Sequence, residues 1–75
     1  MIWYKIDLRP PIATETGCWD GKRSDEILVA TRSRRIHIVR LYDWQKDGNN
    51  FKDFVDEHDF LIENVILWAE IDNPF

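Results

Sequence analysis

Histidine, cysteine and hydroxyl side chains are the groups in this sequence from which catalysis or metal binding would begin. The only histidines are His37 and His58 and the only cysteine is Cys18, and their separation in the chain does not match the spacing of zinc ligands. Ser24, Ser33 and Cys18 lack the glycine-rich context of an activated nucleophile, and no phosphate-binding glycine loop is present. We therefore expect no catalytic residue, no metal site and no cofactor.

The second half of the chain is rich in aspartate and glutamate. Four of them fall on the polar side of one amphipathic pattern, which favours a solvated surface over an acid–base pair. A row of carboxylates can also bind another protein by imitating the phosphates of a nucleic acid. We predict a partner-binding acidic face formed by Asp53, Asp56, Glu57 and Asp59.

Arginines form a second candidate surface. Arg32, Arg34 and Arg35 stand close together in a polar break between two apolar runs, and Arg23 lies in the preceding polar segment. Guanidinium groups bind phosphates, so these four residues predict an alternative nucleic-acid-binding site.

The charges divide unevenly along the 75 residues. Through Tyr42 the chain has eight basic and five acidic residues, and from Asp43 onward it has two and nine, which gives +3 and −7. Such a division lets one molecule present a basic and an acidic surface. The charged start of the chain is unlike a signal peptide, and no apolar run approaches the roughly 20 residues of a membrane span. With a single cysteine, these features predict a soluble cytoplasmic domain.

The elements that would position these side chains begin with a hairpin over Asp25–Tyr42. Ile27, Val29, Ile36 and Ile38 are strong β-formers on either side of the polar break. The break lacks the Asn-Gly or Asp-Gly of a two-residue turn, so we expect a loop of about three to five residues.

Residues Phe51–Ile62 follow a different period. One stripe at i, i+3, i+4, i+7, i+10 and i+11 contains five apolar residues and one histidine: Phe51, Phe54, Val55, His58, Leu61 and Ile62. This spacing predicts a helix capped by Asn50 that carries the acidic face outward. Pro11–Ser24 shows no period and is interpreted as a long loop.

The whole pattern predicts one α+β domain, in which a three- or four-stranded antiparallel sheet packs against this single helix. The strands are expected at Ile2–Leu8, Glu26–Arg32, Arg35–Asp43 and Val65–Ile71. The residues expected to be mostly buried are Ile27, Val29, Ile36, Ile38, Phe54, Val55, Leu61 and Leu67.

The chain resembles a small family of domains of unknown function that is common in tailed phages and prophages. The resemblance rests on Trp3, on Leu8 with Pro10, on the segment 24–30, and on Val65 with Trp68 and Pro74. Leu67 stands where that family has a histidine, so no role of that histidine is transferred. The resemblance implies a phage-encoded accessory protein acting in a bacterial cytoplasm.

Together these observations predict a non-catalytic protein that binds a host protein and inhibits or redirects it, including an anti-defence role of the anti-CRISPR kind. A small nucleic-acid-binding module is the alternative, and a homodimer is compatible with the sequence. Neither the identity of the host protein nor the roles of Cys18, His37 and His58 follow from the residues.

Overall fold

Every regular element in the described part of the chain is a β-strand. The computed structural model describes residues 1–16 and 21–71. Its strands are β1 (Tyr4–Lys5), β2 (Glu15–Thr16), β3 (Gly21–Arg23), β4 (Ile27–Thr31), β5 (Ile36–Lys46), β6 (Asn49–Asp56), β7 (Leu61–Ile62) and β8 (Val65–Glu70). All strand pairs are antiparallel, and the strands form a single sheet.

The long strand β5 organises the sheet. Along one edge, its first part pairs with β4, as Ile27 opposite Val39 shows, and its later part pairs with β3, where Arg23 lies opposite Tyr42. Its other edge pairs with β6 from Val39 to Lys46. Beyond these neighbours, β8 and β1 extend the sheet from β4, β2 extends it from β3, and β7 extends it from β6.

The hydrophobic core lies on one face of this sheet, here called the inner face. Ile27, Val29, Val39 and Trp68 form the buried cluster, because paired residues opposite each other point to the same side. In β4 the alternation is complete, with Ile27, Val29 and Thr31 buried and the residues between them half-buried. The opposite face, called the outer face, carries Ile36, Ile38 and Tyr42 of β5.

The predicted helix over Phe51–Ile62 is wrong. These residues form β6, a turn and β7, and no helix occurs within residues 1–16 and 21–71. The cause lies just upstream, where Asp47 (φ 54°) and Gly48 (φ 79°) both have positive φ. Two such residues make a tight hairpin turn whose twist suits paired strands, so β6 folds back along β5 before a helix can begin.

The predicted α+β class is therefore wrong, and the fold is all-β. The hairpin prediction is confirmed, since β4 and β5 pair and the connection between them has the predicted length. The predicted loop over Pro11–Ser24 is wrong in part because it contains the short strands β2 and β3. The first predicted strand is reduced to Tyr4–Lys5, because the chain turns at residues 6–9.

The predicted core is correct only on the inner face. Ile27 and Val29 are buried, whereas Ile36, Ile38 and Leu61 are exposed. The remaining predicted core residues are half-buried, namely Phe54, Val55 and Leu67. The errors at Ile36 and Ile38 arise because β5 is apolar on both faces, while the buried cluster formed by the described residues covers only the inner face. The expectations about Cys18 lie outside the described residues.

Candidate protein-interaction surface

The four carboxylates of the predicted acidic face remain neighbours, although the strand and turn that carry them are not helical. Asp53 and Asp56 belong to β6, and Glu57 and Asp59 belong to the turn that follows it. The structure gives these residues different surroundings, so they do not act as one uniform row.

Asp56 stabilises the β6–β7 turn. Its Oδ1 accepts hydrogen bonds from the backbone N–H groups of His58 and Phe60, both at 2.9 Å. The backbone N–H of Asp56 also donates to the carbonyl of Phe60 at 3.0 Å. Since an Asp side chain that binds backbone groups two and four residues ahead favours a turn, Asp56 has a local structural role.

Asp53 belongs to an aromatic corner on the outer face. It lies opposite Tyr42, and its Oδ2 accepts a hydrogen bond of 2.8 Å from the indole N–H of Trp44. Trp44 in turn stacks on Phe51, its cross-strand partner, with ring centroids 4.4 Å apart and planes inclined by 22°. These contacts fix the carboxylate and the indole relative to each other.

Asp59 reaches the same corner from the turn. It has φ 63°, a left-handed conformation that aspartate tolerates better than most residues. Asp59 and Asp53 both line a cavity of about 340 Å³, whose other walls are Tyr42, Trp44 and Val55. We call these five residues the acid–aromatic pocket.

Glu57 lies on the other side of the turn, toward the start of β5. It lines a cavity of about 300 Å³ together with Ile36 and Ile38, and it also faces a cavity of about 180 Å³ that includes Glu26 and Arg40. Its Oε1 is 3.6 Å from Nε2 of His58, and both side chains are largely exposed. An exposed pair of this kind contributes little to stability.

Large apolar side chains are exposed next to these acids. Ile36 is 61% exposed, Ile38 is 44% exposed and Leu61 is 53% exposed. Ile38 lies opposite Leu28 of β4, and Leu61 lies opposite Val55 of β6, so all of them belong to the outer face. The outer face thus combines exposed apolar side chains with carboxylates.

The arginines predicted for nucleic-acid binding are divided between two places. Arg32, Arg34 and Arg35 are exposed in the β4–β5 turn. Thr31 holds this turn, because its carbonyl accepts the N–H of Arg34 at 3.0 Å and its N–H donates to the carbonyl of Arg35 at 2.9 Å. We call these three arginines the arginine turn.

Arg23 lies apart from the arginine turn. It pairs with Tyr42, which lies six residues along β5 from Ile36. Because a strand rises about 3.3 Å per residue, Arg23 lies about 20 Å from the arginine turn. Its Nε lies 3.4 Å from Oε2 of Glu15, close enough for an ion pair, although this contact does not have hydrogen-bond geometry. The structure therefore does not bring the four arginines together.

The structure describes both histidines but not Cys18. His37 is half-buried on β5, and His58 is exposed in the β6–β7 turn. Within residues 1–16 and 21–71, no three His, Cys, Asp or Glu residues are grouped so that they could hold a metal ion. In the same part of the chain, no helix is long and apolar enough to cross a membrane.

A groove of about 510 Å³ lies at the other end of β4, on the side of the core. It is bordered by the segment after β1 and by the end of β8, including Arg9, Pro11, Ile27 and Trp68. The indole N–H of Trp68 donates to the carbonyl of Arg9 at 2.6 Å, and the guanidinium of Arg9 lies 4.3 Å from the ring centre of Tyr4. These contacts hold the N-terminal segment over the core.

Sequence reasoning missed Tyr42, Trp44 and Arg40 as surface residues. The alternation of Tyr42 and Trp44 along one strand was the available signal, because residues i and i+2 share a face. Arg40 donates from its guanidinium to the carbonyl of Ser24 at 3.2 Å and lies 3.6 Å from Glu26, so it is held within the sheet.

Comparisons with known proteins add no assignment. The chain matches no model of a protein family, no curated protein and no solved structure.

Proposed function

We propose that this chain is a phage-encoded accessory protein that binds a host protein in the bacterial cytoplasm and inhibits or redirects it without catalysis. The binding surface in this proposal is the outer face, with the acid–aromatic pocket at one end and Ile36 and Ile38 at the other. The resemblance of the sequence to phage and prophage domains supports the setting, and the chemistry of the outer face supports the mode of action.

The observation that carries the proposal is the exposure of Ile36, Ile38 and Leu61 on one sheet face. Contiguous exposed apolar side chains with polar neighbours are typical of protein-interaction sites, because water is released when a partner covers them. Tyrosine and tryptophan are also enriched in such interfaces, and Tyr42 and Trp44 lie on the same face.

Charge defines the kind of partner that fits this surface. Glu57 lines a cavity with Ile36 and Ile38, and Asp53 and Asp59 line the acid–aromatic pocket. Each of these carboxylates favours a cationic group opposite it. The complementary surface is therefore a protein with an apolar centre and lysine or arginine at its edge. Proteins that handle nucleic acids have such basic surfaces, which is compatible with an anti-defence role.

The test begins with the tagged wild-type chain and a bacterial lysate, from which a captured protein is identified and then purified. Calorimetry then measures the affinity of this purified protein for the wild-type chain and for three variants. One carries Ile36→Ser and Ile38→Ser, one carries Asp53→Asn, Glu57→Gln and Asp59→Asn, and the matched control carries Arg32→Gln, Arg34→Gln and Arg35→Gln. Circular dichroism verifies that each variant is folded.

We expect each of the two outer-face variants to bind about tenfold more weakly, equivalent to about 1.4 kcal/mol, while the control keeps the wild-type affinity. The purified partner should also lose activity when the wild-type chain is added. The proposal fails if both outer-face variants bind as the wild type does, or if the partner keeps its full activity in the complex.

A nucleic-acid-binding module is the second candidate, and the exposure of Arg32, Arg34 and Arg35 in one turn favours it. Fluorescence anisotropy with labelled duplex DNA and single-stranded RNA at low salt tests this function. If it is correct, affinity falls with salt by a logarithmic slope of about −0.9 per duplex phosphate contacted, and the arginine-turn variant loses binding.

A further inference from the structure

The acid–aromatic pocket has the composition of a site for an organic cation. Tyr42, Asp53, Trp44 and Val55 come from two paired strands, and the pairing of Tyr42 with Asp53 places them on one face. Asp59 borders this shallow pocket from the β6–β7 turn. Aromatic walls with carboxylates at the rim attract a cation through both the ring electrons and the negative charges.

The carboxylate of Asp53 is prepared for such a contact. Its Oδ2 is bound by the indole N–H of Trp44 at 2.8 Å, which holds the group in place and leaves Oδ1 as an acceptor. The stacking of Trp44 on Phe51 fixes the indole in turn. A fixed acceptor loses less conformational entropy on binding than a mobile one.

Two arginines on this face, Arg23 and Arg40, already contact other groups. Arg23 lies opposite Tyr42, and its Nε is 3.4 Å from Oε2 of Glu15. Arg40 stands two residues before Tyr42, and its guanidinium contacts the carbonyl of Ser24 at 3.2 Å and Glu26 at 3.6 Å. Arg40 does not line the acid–aromatic pocket, although it lines a neighbouring cavity of about 180 Å³ together with Asp59 and Tyr42. Among the described residues, no cation lies within salt-bridge distance of Asp53 or Asp59.

We propose that the acid–aromatic pocket receives the guanidinium of an arginine on the partner protein. A guanidinium is planar, so it can stack on an aromatic ring while N–H groups on its edge donate to Oδ1 of Asp53 and to the carboxylate of Asp59. An ammonium is a compact point charge that lacks this double fit. This inference rests on the proposed function, because it names the side chain through which the partner is held.

A short peptide, acetyl-Gly-Arg-Gly-amide, is the probe for this proposal. Its neutral counterpart has citrulline, which keeps the shape of arginine without the charge, and a third peptide has lysine. Binding to the ¹⁵N-labelled full chain is followed by NMR at the indole N–H of Trp44, whose signal is assigned by its loss in Trp44→Phe.

We expect the arginine peptide to shift this signal and to bind about tenfold more tightly than the citrulline peptide, as a charge-assisted contact requires. Asp53→Asn together with Asp59→Asn should reduce arginine-peptide binding to the citrulline level. Glu63→Gln, which removes the charge of an exposed carboxylate that does not line the pocket, should leave it within about twofold of the wild type.

Three outcomes would overturn the proposal. The first is equal binding of the arginine and citrulline peptides, and the second is equal binding of the arginine and lysine peptides. The third is a loss of binding with Glu63→Gln as large as that with the two aspartate changes. If binding of the partner protein depends on Ile36 and Ile38 but the arginine peptide does not bind, only this inference is overturned. If the arginine peptide binds but the chain inhibits no host protein, only the proposed function is overturned.

Discussion

Ser24 lies between β3 and β4, next to Leu41 of β5. It makes hydrogen bonds with β5 at a point where neither β3 nor β4 pairs with that strand. The N–H of Ser24 donates to the carbonyl of Leu41 at 2.8 Å, and the N–H of Leu41 donates to Oγ of Ser24 at 2.9 Å. The same hydroxyl donates to the carbonyl of Asp25 at 2.8 Å. Ser24 is buried, so these groups have no water to replace a lost partner.

Ser24→Ala is expected to lower the free energy of unfolding by about 1–3 kcal/mol, because it leaves the buried N–H of Leu41 without an acceptor. Urea denaturation measures the change. Ser33→Ala is the control, since Ser33 is exposed and water can replace its bond to Thr31, and its cost should stay within about 0.5 kcal/mol. Equal costs for the two variants would contradict the role given to Ser24.

At the scale of elements, the β5–β6 hairpin decides where the acidic residues lie. Its turn consists of Asp47 and Gly48, both with positive φ, and the paired strands on either side keep register from Lys46 opposite Asn49 to Val39 opposite Asp56. A Cβ added at Gly48 would meet no atom within 4 Å, so only the backbone conformation restricts this position.

Gly48→Ala should therefore destabilise the protein by about 1–2 kcal/mol, the cost of a left-handed conformation for a residue with a Cβ. Asp47→Asn is the matched change in the same turn, and it should be neutral to within about 0.5 kcal/mol because Asn accepts positive φ as readily as Asp. Thermal unfolding measures both. A neutral Gly48→Ala would show that the turn does not require this conformation.

The sequence predicts the first hairpin because β-branched residues fill both of its strands and nothing there favours another structure. The second hairpin was missed because Phe51, Phe54 and Val55 happen to stand at helical spacing. Asp47-Gly48 was the competing signal, and it outweighs that spacing because a two-residue turn sets the register of the strand that follows.

The candidate site could be predicted in part. Its carboxylates were found from composition, but their neighbours Tyr42 and Trp44 come from a strand that lies next to them only in the folded chain. Ile36 and Ile38 were expected in the core because their residue types suit burial. Their exposure depends on which face the other strands cover, and a pattern that is apolar on both faces does not contain this information.

On the scale of the whole molecule, one strand connects every part of the sheet. The β4–β8–β1 side and the β3–β2 side both attach to β5, and β6 runs along its opposite edge. Trp68 lies in the core near one side, and Trp44 lies toward the other end of β5. Neither side has a second core of its own among the described residues. We therefore expect the two sides of the sheet to unfold together.

We expect urea unfolding to be a single transition with the same midpoint by tryptophan fluorescence and by far-ultraviolet circular dichroism. In Trp44→Phe, fluorescence no longer reports on the acid–aromatic pocket, and the two midpoints should still agree. A fluorescence transition at lower urea than the loss of strand signal would contradict this cooperativity.

The short β5–β6 turn also has a consequence for dissecting the protein. The peptide bond between Asp47 and Gly48 divides the chain so that one fragment ends with β5 and the other begins with β6, and the longest ladder of the sheet then joins the two fragments. Pieces separated there share complementary edges, which makes this position a rational point for splitting the protein into two halves that reassemble only when both are present.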